Sequence, residues 1–124
     1  MGDNLVKIHG NWCGPNWTGG QRVSAQDYTG PWDGPAISPL DQACRAHDFA
    51  SRGGKTPRTA DTALIQAARK RILSDIEYFK LQLQLVNPFI DRSRRVKIVK
   101  RLRESDDATL VVAGITIARP FRST

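Results

Sequence analysis

The chain has 124 residues, 40% of them hydrophobic, which suffices for one small domain with a single core but hardly for two. No apolar run reaches the length of a membrane span, and the first residues lack the basic start and long apolar segment of a secretory signal. Nineteen basic and twelve acidic residues give a formal net charge of +7, which predicts attraction to anionic partners.

The first part of the chain, residues 1–37, is rich in Gly, Pro, Asn and Trp and shows no sustained hydrophobic periodicity. This composition predicts a folded loop region. A loop of this length in a compact domain usually has a functional reason.

A first helix is predicted over residues 38–52. Ser38 is a suitable N-cap, Pro39 suits the first helical position, and Asp41 stands three residues beyond the cap as in an acidic capping box. The pair Gly53-Gly54 ends the helix.

A second, long helix is predicted over residues 59–86, with Thr59 as its cap and Asp61 in its positive first turn. Apolar residues recur at steps of three and four and predict one continuous buried stripe. The stripe consists of Leu64, Ala68, Ile72, Ile76, Phe79, Leu83 and Val86.

A third helix is predicted over residues 88–104, after Asn87-Pro88 ends the second. An apolar stripe of Phe89, Val96, Val99 and Leu102 lies opposite seven basic residues. Those are Arg92, Arg94, Arg95, Lys97, Lys100, Arg101 and Arg103. The charges fit a solvated helix face, a patch for anionic membranes, or a patch for nucleic acid, in that order.

The last predicted element is a strand or hairpin over residues 109–118, because this segment is apolar and β-branched. It is expected to pack on the helices. The predicted fold class is therefore mainly α, with a short β element at the C-terminal end.

Two motifs stand out in this framework. The loop carries Asn-Trp-Cys-Gly-Pro-Asn-Trp-Thr-Gly-Gly over residues 11–20, and the first helix carries Asp-Gln-Ala-Cys-Arg-Ala-His-Asp over residues 41–48. On a helix, His47 shares a face with Cys44, and Asp48 projects about 100° further round, so the histidine and the aspartate can serve different tasks.

In this order the two motifs resemble the calcium loop and the Asp-x-Cys-Cys-x-x-His-Asp active-site helix of the secreted phospholipase A2 superfamily. The resemblance covers residues 9–20 and 38–51. It implies a phospholipase A2-like fold and a calcium-dependent hydrolase that cleaves the sn-2 ester of glycerophospholipids at membrane surfaces.

The resemblance also implies a disulfide between Cys13 and Cys44, which match the two ends of a family bridge. The neighbouring family cysteine is replaced by Ala43, and no further cysteine is left unpaired. A bridge indicates an oxidising final environment, so an extracellular or virion-associated location is expected.

By the same resemblance, calcium is held by the carbonyl groups of Trp12, Gly14 and Asn16 and by the Asp48 carboxylate. Calcium prefers such oxygen ligands. Asn16 replaces the family's usual glycine, and asparagine is the non-glycine residue best suited to a left-handed backbone.

The implied catalytic group is His47 as general base on a water, with the Gly14 N–H among the groups that stabilise the oxyanion. Asp61 is the candidate that holds the other ring nitrogen of the histidine. Its surroundings are similar to the Ala-Asp segment that follows the His-Asp motif in parvoviral capsid phospholipase domains, although a plain helix-start charge is about equally expected.

One family residue is missing: Ser51 stands where the family has a tyrosine four positions after the histidine. Tyr28 and Tyr78 are the candidates to supply a hydroxyl group instead. His9 is interpreted as an ordinary surface residue.

Two other functions remain open at this point. The chain could be a catalytically weak relative that binds anionic lipid, or less favourably nucleic acid, through the basic helix. A thiol hydrolase that pairs Cys13 with His47 ranks last, because a cysteine in a disulfide is no nucleophile.

Overall fold

The computed structural model describes residues 7–119, so the first six residues of the predicted loop region lie outside the described part. Within it the chain is mainly α and contains no extended strand. Four helices follow one another along these residues: α1 Pro39–Ala50, α2 Arg58–Arg71, α3 Asp75–Leu85 and α4 Arg92–Ala118. None of the helices in this range combines the length and apolar character needed to cross a bilayer.

Helix α1 confirms the prediction for this segment. The Ser38 side chain accepts the N–H of Asp41 at 3.1 Å, Pro39 occupies the first turn, and Ser51 is the C-cap. The capping box is only half formed, because the Asp41 carboxylate turns to the loop region instead of returning to the cap.

The single helix predicted over residues 59–86 is wrong, since the structure has two helices there. Helix α2 begins at Arg58 after Pro57, without a side-chain cap from Thr59. At the break, the Leu73 N–H donates to Ser105 Oγ at 2.8 Å, and Ser74 caps α3 by accepting the N–H of Glu77. The Ser-x-x-Glu spacing of residues 74–77 is that of a capping box, a signal that places this boundary.

Because of this break, only part of the predicted apolar stripe is buried. Its first members, Leu64 and Ala68, are buried in the core. Its later members are exposed by 50–76% instead, and they are Ile76, Phe79, Leu83 and Val86.

The basic helix and the strand predicted after it form one 27-residue helix, α4. It begins at Arg92, four residues after the predicted start, and it continues through residues 109–118, where the predicted strand is wrong. Ala108, Val111 and Ile115 are buried at steps of three and four, so helical packing overrides the weak β preference of the branched side chains.

The inward face predicted for the basic segment is also largely wrong. Of its four members only Leu102 is buried, and Ile98 is the other buried hydrophobic residue in this part of α4. Phe89, Val96 and Val99 are exposed.

Helix α2 packs between α1 and α4, and α3 contacts α4. The main hydrophobic cluster joins the loop region to α1, α2 and the second half of α4. Its buried members are Trp12, Cys13, Tyr28, Leu40, Cys44, Leu64, Ala68, Ala108, Val111 and Ile115.

Candidate active site

A disulfide ties the loop region to α1. Cys13 is bonded to Cys44, as the family resemblance implies. The bond leaves Cys13 without a free thiol, so the thiol-hydrolase hypothesis is wrong.

The fully buried Asp41 carboxylate fixes the loop against the start of α1. It accepts the backbone N–H groups of Asn11, Trp12 and Ile37 at 2.9–3.1 Å. Gly10 has φ of 60°, and a side chain there would collide with this carboxylate. The loop therefore has one defined position beside the helix that carries His47.

An aromatic cluster also packs the same loop against α1. Trp12 is buried, its indole N–H donates to the Pro35 carbonyl at 2.9 Å, and its ring lies 5.8 Å from those of Tyr28 and Trp32. Phe49 of α1 packs edge-on against Trp32. These rings thus pack the loop against α1.

Two helices bring His47 and Asp61 together. The His47 Nε2 lies 2.7 Å from Asp61 Oδ1, and the Asp61 side chain is only 1% exposed. This contact fixes the ring and leaves Nδ1 on the side of Asp48, whose Oδ1 is 4.0 Å away. The arrangement suits a general base, which needs one nitrogen held and the other available.

Asp48 is a carboxylate in an unusual position. Burial raises its pKa from 3.8 to about 6, and the neighbouring His47 offsets the loss of solvation only in part. Among the described residues, its buried Oδ2 has no hydrogen-bond partner. An unpaired, poorly solvated carboxylate oxygen is a natural ligand for a cation.

A cavity of about 380 Å³ joins these groups to the loop. His47 and Asp48 line it together with the predicted calcium ligands Trp12, Gly14 and Asn16. Its apolar wall comes from α2 and the second half of α4, namely Leu64, Val111 and Ile115.

The loop backbone at the cavity has the conformation expected of it. Asn16 has φ of 54°, in the left-handed region, as its replacement of a glycine predicts. The Gly14 carbonyl accepts the Trp17 N–H at 3.3 Å, which leaves it a second lone pair. Within residues 7–119 the Gly14 N–H makes no hydrogen bond.

The oxygen atoms that these residues carry are of the type that calcium prefers as ligands. Asp48 offers the unpaired oxygen, and the loop residues Trp12, Gly14 and Asn16, whose carbonyls would be the other ligands, line the same cavity. Within the described range, no group of three or more His, Cys, Asp or Glu side chains is arranged so that it could hold a metal ion, so a metal here depends on backbone oxygens.

The substitutes considered for the missing tyrosine do not reach the site. The Tyr28 hydroxyl donates to the Pro31 carbonyl, and that of Tyr78 donates to Asp106. The Ser51 hydroxyl donates to the backbone carbonyl of His47 at 2.8 Å, so it supports the helix end rather than a side chain of the site.

The structure corrects the interpretation of His9. This residue is buried, with Nδ1 2.8 Å from Asp107 and Nε2 2.6 Å from Ser38 Oγ. The order resembles a serine-hydrolase triad, but Ser38 Oγ is already the N-cap acceptor of the Asp41 N–H, and the nearby N–H groups of Ile37 and Leu40 already donate to side chains. The trio instead joins the loop, the α1 cap and α4.

Glu104 is a second residue whose structural role cannot be inferred from the sequence. From α4 it accepts the Leu40 N–H at the start of α1 and a two-point contact from Arg71 at the end of α2. Burial by itself would raise the pKa of Glu104, but the hydrogen bonds from Arg71 and Leu40 outweigh it and lower the pKa. The contact fixes the relative positions of the two helices that carry His47 and Asp61.

Comparison with protein-family models, with curated proteins and with solved structures finds no match to this chain. Membership of the phospholipase A2 superfamily therefore stays a prediction from the two sequence motifs.

Proposed function

We propose that the chain is a calcium-dependent phospholipase A2 of divergent, phospholipase A2-like fold. It would hydrolyse the sn-2 ester of glycerophospholipids at membrane surfaces. The observation that carries this proposal is that His47, the buried Asp48 and the loop residue Gly14 line one cavity, while Asp61 holds the His47 ring.

His47 supplies the base. Its Nδ1 takes a proton from a water as that water attacks the ester carbonyl carbon, and no acyl-enzyme forms. Asp61 accepts from Nε2, which holds the tautomer and stabilises the imidazolium that results. The proton then passes from Nδ1 to the leaving alkoxide, which departs as the lysophospholipid.

The loop and Asp48 supply the electrostatic part. The carbonyls of Trp12, Gly14 and Asn16 would hold calcium together with the Asp48 carboxylate. When bound, calcium supplies positive charge for the substrate phosphate and for the developing oxyanion. The Gly14 N–H adds a donor for the same oxyanion.

The apolar wall formed by Leu64, Val111 and Ile115 suits an acyl chain. The disulfide supports function in an oxidising environment, outside the cell or on a virion.

A weakly catalytic lipid-binding relative is the second candidate. It is favoured by one observation, namely that no tyrosine hydroxyl reaches His47 or Asp48 within the described residues.

The experiment that separates the two is fatty-acid release from mixed phosphatidylcholine and phosphatidylserine vesicles, first with calcium and then with a chelator. Calcium-dependent release supports the enzyme. Binding to the vesicles without release under either condition contradicts the enzyme and supports the second candidate.

A further inference from the structure

Helix α3 exposes an apolar stripe that the catalytic site does not use. None of its residues is buried. Its inner face, with Tyr78, Leu81 and Leu85 half-buried, lies on α4. The outer face carries Ile76, Phe79, Leu83 and Val86, exposed by 50–76%, and Phe89 just beyond the helix is 91% exposed.

Cations surround the C-terminal end of this stripe. The Arg94 guanidinium donates to the Gln84 side chain at 2.8 Å, and Arg95 donates to the Leu85 carbonyl at 3.1 Å. Both belong to residues 92–103, which contain seven basic residues and no acidic one. We call α3 together with Phe89 and residues 92–103 the helical hairpin.

We propose that the helical hairpin is a docking surface for an anionic lipid bilayer. The exposed apolar face of α3 and Phe89 would enter the region between headgroups and acyl chains, while the arginines and lysines bind lipid phosphates. This pairing of an apolar stripe with a dense positive charge is what such a surface requires.

The same features disfavour the other occupants. A second copy of the chain would bring two strongly positive hairpins together, which costs electrostatic energy. A nucleic acid would bind the cations but leave the apolar stripe in water.

The surface is distinct from the candidate active site. Val96 in the hairpin and Ile115 at the cavity lie 19 residues apart on α4, which corresponds to roughly 28 Å along the helix. The proposal therefore does not depend on catalysis, and it would hold for an inactive protein.

The test is co-sedimentation with vesicles in the presence of a chelator, so that hydrolysis plays no part. Vesicles of phosphatidylcholine alone are compared with vesicles that also contain phosphatidylserine. We expect the Phe79→Ser/Leu83→Ser variant to bind the anionic vesicles about tenfold more weakly or worse, since two large apolar side chains lose their burial. Leu110→Ser is the matched control, because Leu110 is 55% exposed on α4 outside the hairpin, and it should bind like the unaltered protein.

A second variant gives a positive signal. The chain already has three tryptophans, so the emission of Phe79→Trp is compared with that of the unaltered protein. The difference, which reports the new indole, should shift to the blue on addition of anionic vesicles and much less with neutral ones. Unchanged binding by Phe79→Ser/Leu83→Ser, or no shift for Phe79→Trp, would overturn the proposal. Two further results would also overturn it. One is a dimer, seen by sedimentation velocity in the unaltered protein and lost in the double variant. The other is a protein that binds DNA but does not bind vesicles.

Discussion

The candidate active site and the helical hairpin share one helix, α4, but they differ in which side chains are buried and which are exposed. Around the site, buried polar groups such as Asp41 and Glu104 are matched by several donors each. In the hairpin, large apolar groups such as Phe79 and Phe89 are left in solvent. The comparison indicates that the first region holds its groups in fixed positions, whereas the second exposes apolar side chains, which we propose serve an external partner.

The largest effect on activity is expected from replacing His47, the proposed general base. His47→Gln should lower fatty-acid release by about 10²–10⁴-fold, because glutamine cannot accept and return the proton. Vesicle binding through the hairpin should be unaffected, and the melting temperature should stay close to that of the unaltered protein. Release at the original rate would exclude His47 as the base.

The next effect concerns the buried carboxylate under the loop. Asp41→Ala leaves three buried N–H groups without their acceptor and should reduce the free energy of unfolding by roughly 3 kcal/mol or more. Urea unfolding measures this loss. Asp33→Ala, which removes an exposed aspartate of the same loop region, should change stability by less than about 0.5 kcal/mol. Equal losses in both variants would refute the role given to Asp41.

A pH effect of known sign is expected at Asp48. Its pKa is higher in the folded protein, so the folded state binds more protons than the unfolded state between 3.8 and about 6. Without calcium, stability should therefore fall as the pH rises through this window, by up to roughly 3 kcal/mol. Asp48→Asn removes this loss and should melt higher than the unaltered protein at neutral pH in chelator. A lower melting temperature for the variant would contradict the burial of an unpaired carboxylate.

Glu104 should show the opposite dependence. Its pKa is lowered on folding, so its contribution is complete above its ordinary value of 4.5 and is lost as the pH falls through the folded-state value. Glu104→Gln should cost about 1–3 kcal/mol at neutral pH and less in acid. Denaturant unfolding at both pH values checks this, and a constant difference between the two proteins would rule out a charged Glu104 as the cause.

The sequence is most informative for features that depend on residues close together in the chain or on a short motif. Ser38 and Pro39 give the start of α1 by their own chemistry, and the Cys13–Cys44 bridge follows from a motif resemblance. The sequence predicts Asp61 as the candidate partner of His47, and the structure brings the two together. Their catalytic roles stay predictions.

Other features depend on contacts between distant residues, which a single sequence does not display. The break after α2 has a local signal in Ser74 and Glu77, but the contact of Leu73 with Ser105 of α4 does not show in the sequence. The contacts of the buried His9 with Asp107 and Ser38 do not show there either. The β-branched residues near Val111 form a helix because its inward face packs in the core, which a propensity argument cannot anticipate.

The most direct test of the proposed active site is a calcium titration followed in parallel by calorimetry and by fatty-acid release. Our account predicts a single binding site whose half-saturation coincides in both measurements, and Asp48→Asn should lose binding and release together. Full hydrolysis in chelator, or calcium binding that Asp48→Asn leaves unchanged, would contradict it.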